Sequence, residues 1–367
     1  MRVPYSYLEP QFADIDGYLN DVKDFVKTGD FTLGAKLEEF ESKFAAFTGV
    51  KHAIGVNSGT DALILSMKAL GIGPGDEVIT CVETFIATHG AIAATGARPV
   101  FVDSTEEFLI DCDQIEKVIT DKTKAIVPIW FTGNAPDMER ILAIAEKHNL
   151  KVVEDSCCGI DASIDGKKAG SFGDTGSFSF HPLKNLNVWS DAGMIITNDG
   201  ALNDKLRLLR NHGLATRDEV DIYGVNSRMD TFQAVIALRL FPQVPAITDA
   251  RIANAAQIDE GLKNVKQVTV PIRDPKVRQN YHLYMLRVED RDALQKHLVD
   301  KEIEAKVHYP IPLHLQKCAA RLGYKKGGFP VCEKHAAEII SLPVHQHLGP
   351  EQVDFMIDNI KSFYKKG

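Results

Sequence analysis

Residues 52–197 alternate short apolar runs with longer amphipathic segments, and this pattern constrains the fold more than any other feature of the chain. The apolar runs predict strands at residues 52–57, 77–80, 99–102, 123–129, 151–153, 175–180 and 194–197. The segments between them predict helices at residues 62–70, 87–94 and 138–148. Strands and helices that take turns along the chain favour an α/β fold, with a mostly parallel sheet sandwiched by helices.

The chain is long enough for two domains. Its 367 residues exceed what one hydrophobic core usually organises, and near residue 250 the pattern changes from α/β to α+β. A long helix that starts near residue 234 is expected to continue past Pro242. Beyond it, strands are predicted at residues 281–288 and 304–308, and helices at residues 292–301, 336–340 and 350–363. We therefore predict a large domain over residues 1–250 and a smaller α+β domain over residues 251–367.

Composition and charge exclude several kinds of protein. Hydrophobic residues make up 44% of the chain and charged residues 25%, as in ordinary globular proteins. The net charge is −8 and the basic residues form no stripe, so no nucleic acid is expected as a partner. No apolar run reaches the roughly 18 residues that span a membrane, and residues 1–10 lack the apolar core of a signal peptide. These features predict a cytoplasmic protein.

The six cysteines predict neither disulfides nor a metal site. None belongs to a C-x-x-C pair, and Cys157 and Cys158 are adjacent, which suits neither an ordinary disulfide nor a tetrahedral metal site. The histidines form no H-E-x-x-H motif. We therefore expect reduced thiols and no metal ion.

Two polar segments that directly follow predicted strands can bind a ligand. Ser58-Gly59-Thr60 opens a helix, where backbone N–H groups and hydroxyls form a seat for a phosphate. The alternative for this segment is an ordinary helix cap. Asp155 follows a buried strand, at the edge of the sheet where α/β proteins place ligands. Its carboxylate can pair with a protonated ring nitrogen, or it can simply cap the next segment.

Lys184 is the third candidate, because its neighbours Pro182, Leu183, Leu186 and Trp189 are apolar or aromatic. A buried lysine cation is costly. Burial lowers the pKa of a lysine and leaves the free amine that covalent chemistry with a carbonyl carbon requires. The alternative is a surface lysine in a loop, which is the commoner position of lysine.

In chain order, these segments and several others resemble the DegT/StrS-type family of nucleotide-sugar aminotransferases. These are pyridoxal 5'-phosphate (PLP) enzymes with the PLP transferase fold type I. The resemblance covers nearly the whole chain, and the joint order of its motifs is highly specific. The matching segments are residues 34–41, 58–63, 73–78, 84–88, 154–155, 176–186, 226–230 and 308–314.

The resemblance implies a role in cofactor binding for several residues. Lys184 corresponds to the lysine that bonds covalently to PLP, and Asp155 corresponds to the acid at the pyridine nitrogen. Phe85 corresponds to the aromatic residue that stacks on the cofactor ring. The positions that match the phosphate site are Ser58, Gly59, Thr60 and Ser179.

Other matched positions concern the partner subunit, the substrate and one departure from the family. Asn226 corresponds to an asparagine that reaches the phosphate from the partner subunit, which implies a homodimer with shared active sites. Cys158 stands where the family usually has a glutamine near the cofactor's phenolic oxygen, and a thiol makes a weaker hydrogen bond there. The candidate substrate residues are His181, His308, Tyr309 and His314.

The activity that the resemblance implies is a transamination. An amino acid, expected to be glutamate, gives up its amino group and leaves as 2-oxoglutarate, and a nucleotide-linked keto-sugar accepts the group at C3 or C4. Asn185-Leu186, directly after the lysine, favours C3. The alternatives are a PLP-dependent sugar dehydratase, in which histidine replaces the lysine, another PLP reaction, and a non-catalytic PLP-binding regulatory protein.

Overall fold

The computed structural model of the chain describes residues 1–365. Its strands are β1 (His52–Val56), β2 (Glu77–Cys81), β3 (Arg98–Val102), β4 (Thr123–Val127), β5 (Lys151–Asp155), β6 (Ser163–Ile164), β7 (Lys167–Lys168), β8 (Thr175–Ser179), β9 (Gly193–Thr197), β10 (Val268–Thr269), β11 (Val277–Arg278), β12 (Tyr284–Val288) and β13 (Ile339–Leu342). Its helices are α1 (Leu8–Gln11), α2 (Ile15–Thr28), α3 (Ala35–Thr48), α4 (Gly59–Ala69), α5 (Ile86–Ala94), α6 (Cys112–Ile115), α7 (Met138–His148), α8 (Gly200–Leu209), α9 (Thr231–Leu240), α10 (Val244–Leu262), α11 (Arg291–Asp300), α12 (Pro330–Glu338) and α13 (Pro350–Lys365).

A seven-stranded sheet within the described residues has the strand order β1-β9-β8-β5-β4-β2-β3. The strands β8, β5, β4, β2 and β3 pair in parallel, whereas β9 runs against its neighbours β1 and β8. β9 is reversed because residues 180–192 return the chain to the sheet without a crossover helix. The α/β fold with a mostly parallel sheet, predicted from the alternating pattern, is confirmed.

Both faces of this sheet are buried, and alternate residues along a strand belong to different layers. On one face, Val127 and Val153 join a hydrophobic cluster with Met67 of α4. On the other face, Val152 joins a cluster with Ile141 of α7. Each fully buried side chain of this size contributes about 1.5–3 kcal/mol. The two layers explain why the strands read as continuous apolar runs in the sequence.

A three-stranded antiparallel sheet, β10-β12-β13, organises the C-terminal part of the described chain. Its hydrophobic cluster joins Leu286 of β12 and Ile340 of β13 to Ile258 of α10. Val3, from the other end of the chain, enters this cluster and forms a parallel bridge with Ile303. α10 continues across residue 250. The division into domains 1–250 and 251–367 stays a prediction.

Two predictions for the C-terminal part are wrong. Residues 304–308 form no strand in the described structure, and Lys306 makes only an isolated bridge with Ser341. The strand is interrupted because the N–H group of Ala305 donates to the carbonyl oxygen of Ile303 in its own chain and not to a neighbouring strand. Ile339 and Ile340 were predicted to end a helix, but they begin β13 instead. The reason is their pairing with β12, which buries Ile340 in the C-terminal cluster and Ile339 in the cluster that contains Val152.

The helix that was predicted to continue past Pro242 does so in two parts. α9 ends at Leu240, and a 3₁₀ turn over Phe241–Gln243 contains Pro242, which has no N–H group to donate. α10 then begins at Val244. Neither α10 nor any other helix within residues 1–365 is long and apolar enough to cross a membrane.

Candidate active site

A cavity of about 380 Å³ lies at the carboxyl ends of β1, β5 and β8 and brings together most of the predicted site residues. The predicted residues in its wall are Ser58, Gly59, Thr60, Phe85, Cys158, Ser179, His181, Lys184, His308 and Tyr309. They come from segments as far apart as Ser58 and Tyr309, so the fold assembles them. The carboxyl edge of a parallel sheet is also where α/β proteins usually bind ligands.

The N-terminus of α4 forms the predicted phosphate seat. Ser58 Oγ accepts a hydrogen bond from the N–H group of Asp61 at 3.1 Å. The N–H groups of Gly59 and Thr60, in the first turn, have no acceptor within the helix and are available to an anion. A Cβ atom at position 59 would lie 2.7 Å from Ser179 Cβ. Glycine therefore allows α4 to begin against the end of β8.

Alternation along β5 separates its two carboxylates. Asp155 is 5% exposed, and its Oδ2 accepts a hydrogen bond from Thr88 Oγ1 of α5 at 2.7 Å. Glu154 points into the opposite layer and is fully buried. Its carboxylate accepts hydrogen bonds from Trp130 Nε1 and from the N–H groups of Gly170, Phe172 and Gly173. Glu154 therefore holds the fold together, and Asp155 is the carboxylate on the side of the cavity.

Lys184 lies between β8 and β9, and its side chain lines the cavity. Its Nζ is 3.1 Å from Cys158 Sγ and 3.4 Å from His282 Nε2. The hydroxyl of Tyr7 lies 2.9 Å from the carbonyl oxygen of Leu183 and 2.8 Å from that of Lys184. The lysine segment is therefore anchored to the N-terminal segment of the chain and does not form a loop in bulk solvent.

Several effects set the pKa of Lys184. Burial lowers this pKa, whereas Cys158, Cys157 and Asp155 raise it, and the net pKa lies above the ordinary 10.5. Burial raises the pKa of both thiols. The net direction for Lys184 is opposite to the one expected from burial alone. The free amine therefore stays a prediction.

Aromatic rings and imidazoles form another part of the cavity wall. Phe85 is 53% exposed, and its ring centroid lies 5.9 Å from that of Tyr309. Burial, with help from the charges of Lys306 and Lys184, lowers the pKa of His308 to about 4. His308 Nδ1 lies 2.8 Å from the hydroxyl oxygen of Ser341. His308 is therefore neutral near pH 7 and offers hydrogen-bonding groups without a charge.

Two predicted residues lie away from the cavity. His314 is buried, with its Nε2 3.0 Å from Glu333 Oε1 and its ring against Phe329. These contacts direct His314 into the protein, so the structure does not bring it to a substrate in the cavity. Asn226 is exposed and forms a backbone bridge with Asn211. It lies outside the part of the cavity wall that its own chain supplies.

The sequence analysis missed several residues of the wall. These are Tyr5, Tyr7, Cys157, Leu183, Asp191, Arg251, His282 and His345. Arg251 and His282 belong to α10 and to the segment before β12, so only the folded chain brings them near Lys184. One signal was present in the sequence: Arg251 has helical spacing with Ile247 and Ala255, both on the buried side of α10. An arginine on a buried helix face is unusual.

The cavity residues fit PLP. The start of α4 suits a phosphate group, and glycine at position 59 leaves the space that a side chain would fill. Asp155 lies behind the cavity wall, where its Oδ1 accepts a hydrogen bond from the N–H group of Cys157 in the wall, and its carboxylate suits a protonated ring nitrogen. Phe85 offers a ring face, and Lys184 offers an amine. A mostly parallel sheet sandwiched by helices, with these groups at its carboxyl edge, defines the PLP-dependent enzymes of fold type I.

The chain belongs to the DegT/DnrJ/EryC1/StrS aminotransferase family, whose model matches residues 14–361. A pleiotropic regulatory protein of Geobacillus stearothermophilus is 41% identical over 100% of this chain and 99% of its own length. The UDP-N-acetyl-3-dehydro-alpha-D-glucosamine 3-aminotransferase of Acidithiobacillus ferrooxidans is 40% identical over 96% of this chain and 95% of its own length.

The fold matches that of a solved family member closely. The X-ray structure of DesV from Streptomyces venezuelae, in complex with a ketimine intermediate, superposes with a TM-score of 0.96. That chain is 36% identical, and the match covers 99% of this chain and 98% of DesV. The resemblance inferred from the motifs is confirmed, and the chain is a PLP-dependent aminotransferase.

Proposed function

We propose that this chain moves an amino group from glutamate to the C3 keto group of a nucleotide-linked sugar. The observation that carries the proposal is the position of Lys184, which lines the same cavity as the phosphate seat at the start of α4. Asp155 lies on the same side of the sheet as this cavity. The name of the Acidithiobacillus relative, which specifies a UDP-linked 3-dehydro sugar, supports both the nucleotide-linked ketone and C3.

PLP, when bound, supplies an electron sink that carries the amino group between the two substrates. Asp155 would keep the ring nitrogen of the cofactor protonated, and Thr88 Oγ1 orients its carboxylate by donating a hydrogen bond to Oδ2. Lys184 Nζ moves protons at the reacting carbon atoms. His282 is neutral because burial and the charges of Lys184 and Arg251 lower its pKa, and its Nε2 lies 3.4 Å from Lys184 Nζ.

Binding of the sugar substrate is assigned to uncharged side chains of the cavity wall. His308, Tyr309 and His181 present imidazole and phenol groups that can bind sugar hydroxyls. Burial lowers the pKa of His181 as well as that of His308, so both are suited to neutral hydrogen bonding near pH 7. His314 is not part of this proposal, because Glu333 holds it away from the cavity.

We also propose a homodimer in which Asn226 completes the phosphate site of the partner subunit. Its exposure on its own chain supports this role. The test mixes Asn226→Ala subunits, which retain Lys184, with Lys184→Ala subunits, which retain Asn226. Each mixed dimer then contains one complete site, and partial recovery of activity is expected. Activity no higher than the sum of the separate variants would contradict a shared site. A cytoplasmic location stays a prediction.

The central experiment measures transfer of ¹⁵N from labelled glutamate to a panel of nucleotide-linked 3-keto and 4-keto sugars. Wild type and Lys167→Ala, which alters an exposed lysine outside the cavity, should form labelled amino-sugar. Lys184→Ala should retain PLP by its other contacts but lose about 10²–10⁴-fold in rate. Undiminished transfer by Lys184→Ala would contradict the proposed role of the lysine, and transfer to the 4-keto sugars alone would contradict a reaction at C3.

A regulatory function is the second candidate, because the Geobacillus relative is named a pleiotropic regulatory protein. The same experiment separates the two. A regulatory protein would bind PLP without moving ¹⁵N to any sugar of the panel, whereas a transaminase would deplete glutamate in proportion to product. The dehydratase alternative predicts histidine at position 184, and the chain has lysine there.

A further inference from the structure

We propose that Arg251 binds the carboxylate of the amino donor, and this inference rests on the proposed transamination. Arg251 lies on α10 and is 2% exposed, yet its side chain forms part of the wall of the cavity that contains Lys184. A buried guanidinium in a substrate cavity is the group that proteins use for bidentate recognition of carboxylates.

The hydrogen bonds of Arg251 reach only neutral acceptors. Its Nε donates to Gln346 Oε1 at 3.1 Å, and its Nη1 donates to the carbonyl oxygen of Tyr281 at 3.0 Å. Nη2 is buried and has no hydrogen-bond partner among residues 1–365. The ring of Tyr7 lies 5.0 Å from the guanidinium carbon, which adds an aromatic face but no anion. One donor group of Arg251 is therefore left without a partner among the described residues.

Arg273, in the same part of the fold, is an arginine that does have a carboxylate partner. Its guanidinium carbon lies 5.2 Å from the ring centroid of Tyr281, an arrangement like that of Arg251 and Tyr7. Arg273 also donates to both oxygens of Asp259, at 3.1 Å each. No carboxylate within residues 1–365 pairs with Arg251 in this way. A buried cation without an anion is strongly unfavourable, and a substrate carboxylate would supply the missing anion.

The position of Arg251 favours the amino donor as the source of that carboxylate. The positive charges of Lys184 and Arg251 both act on His282, whose Nε2 is 3.4 Å from Lys184 Nζ. Tyr7 also connects the two residues, because its ring lies 5.0 Å from the guanidinium carbon of Arg251 and its hydroxyl lies 2.8 Å from the carbonyl oxygen of Lys184. In an amino acid the carboxylate is one bond from the carbon that carries the amino group, so it must lie close to that amine during the reaction. A sugar acid is the second possible source of a carboxylate.

The test compares Arg251→Gln, Arg251→Lys and the control Arg273→Gln in two half-reactions of the holoenzyme. One half-reaction starts from glutamate, and the other starts from the amino-sugar product, which has no carboxylate. Arg251→Gln should lower kcat/KM for glutamate by about 10- to 100-fold, mainly through KM, and change the sugar half-reaction by less than about 3-fold. Arg251→Lys should recover part of the loss, and Arg273→Gln should change neither half-reaction selectively.

A binding measurement keeps the inference testable without turnover. Calorimetry should show that glutarate, an unreactive dicarboxylate, binds the wild-type chain and Arg273→Gln, and binds Arg251→Gln about 10-fold or more weakly. Equal losses in both half-reactions with unchanged glutarate binding would overturn the proposal and leave Arg251 as a structural residue. A loss confined to sugar substrates that carry a carboxylate would also overturn it, because the anion would then belong to the sugar. Absence of all nitrogen transfer in wild type would refute the proposed function, while glutarate binding would still test Arg251.

Discussion

Replacing Gly59 with alanine separates the packing of the phosphate seat from ordinary helix propensity. In the interior of a helix, glycine to alanine usually stabilises a protein by roughly 0.5–1 kcal/mol. At position 59, however, the new Cβ would lie 2.7 Å from Ser179 Cβ and 2.8 Å from Cys157 Sγ. Neither atom is the far end of a long side chain, so relief requires a shift of α4 away from β8. Overpacking of this kind costs about 1–3 kcal/mol.

We therefore expect Gly59→Ala to lower the free energy of unfolding by about 1–2 kcal/mol and to weaken PLP retention, because the first N–H groups of α4 move with the helix. The matched control is Gly90→Ala in α5, where nothing lies within 4 Å of the added Cβ. That variant should gain roughly 0.5–1 kcal/mol and keep its cofactor.

Urea unfolding of the cofactor-free chains measures the first effect, and dialysis against buffer followed by PLP quantification measures the second. The two variants should move in opposite directions. If Gly59→Ala is as stable as Gly90→Ala and retains PLP as well as wild type does, then the close approach of α4 and β8 does not shape the phosphate seat, and the argument is refuted.

Three further predictions concern acid stability, a buried carboxylate and the anchor of the lysine segment. Burial lowers the pKa of His89 and of His345 from 6.5 to about 4, so below pH 6.5 the unfolded chain binds protons that the folded chain excludes. The free energy of unfolding should fall as pH drops from 6.5 towards 4, and at pH 5 the loss should be about 2 kcal/mol for each imidazole. Urea unfolding at pH 7 and at pH 5 measures this loss, and equal stability at the two pH values would contradict the prediction. Glu154→Leu should leave four donors without this acceptor, two of them in buried hydrogen bonds and two in partly buried ones. The loss should be at least about 3 kcal/mol, so a loss under about 1 kcal/mol in thermal or urea unfolding would contradict this prediction. Tyr7→Phe removes the hydroxyl that contacts the carbonyl oxygen of Lys184; it should lower kcat by about 5-fold with PLP still bound, and an unchanged kcat would exclude an anchoring role.

The central sheet could be predicted because short runs of consecutive apolar residues identify its strands. Val152 and Val153 face opposite layers, and both layers are apolar, so β5 appears in the sequence as an uninterrupted apolar run. The order of β5, its terminal Asp155 and the helix start at Gly59 follows from the same local pattern. These residues sit at the carboxyl edge of the sheet wherever the rest of the chain goes.

The C-terminal part resisted prediction because its structure depends on distant partners. Ile339 and Ile340 follow helix α12 without a break in apolar pattern, and only the pairing with β12 makes them a strand. His314 stands in a motif that suggests substrate contact, but Glu333, from another helix, holds it inside the protein. No local signal distinguishes a histidine that faces a cavity from one that faces a buried carboxylate.

Arg251 illustrates the intermediate case. Its spacing with other buried residues of α10 was visible in the sequence, yet the spacing alone does not say whether the arginine meets an aspartate, as Arg273 does, or a substrate. That difference depends on which side chains converge from elsewhere in the chain. The structure supplies this information because it shows one N–H group of Arg251 without an acceptor among residues 1–365.

The contacts of the N-terminal segment have a consequence for the order of assembly. Val3 bridges to Ile303, and Tyr7 contacts the backbone of Lys184, so this segment completes its contacts only after about 300 further residues have been made. During synthesis the lysine segment lacks this support, because the C-terminal cluster that receives Val3 is not yet complete. Closing so long a loop is slow. Lys184 should therefore be held in its final position only after the C-terminal cluster has formed, and forms of the chain that end before Ile303 should capture PLP poorly.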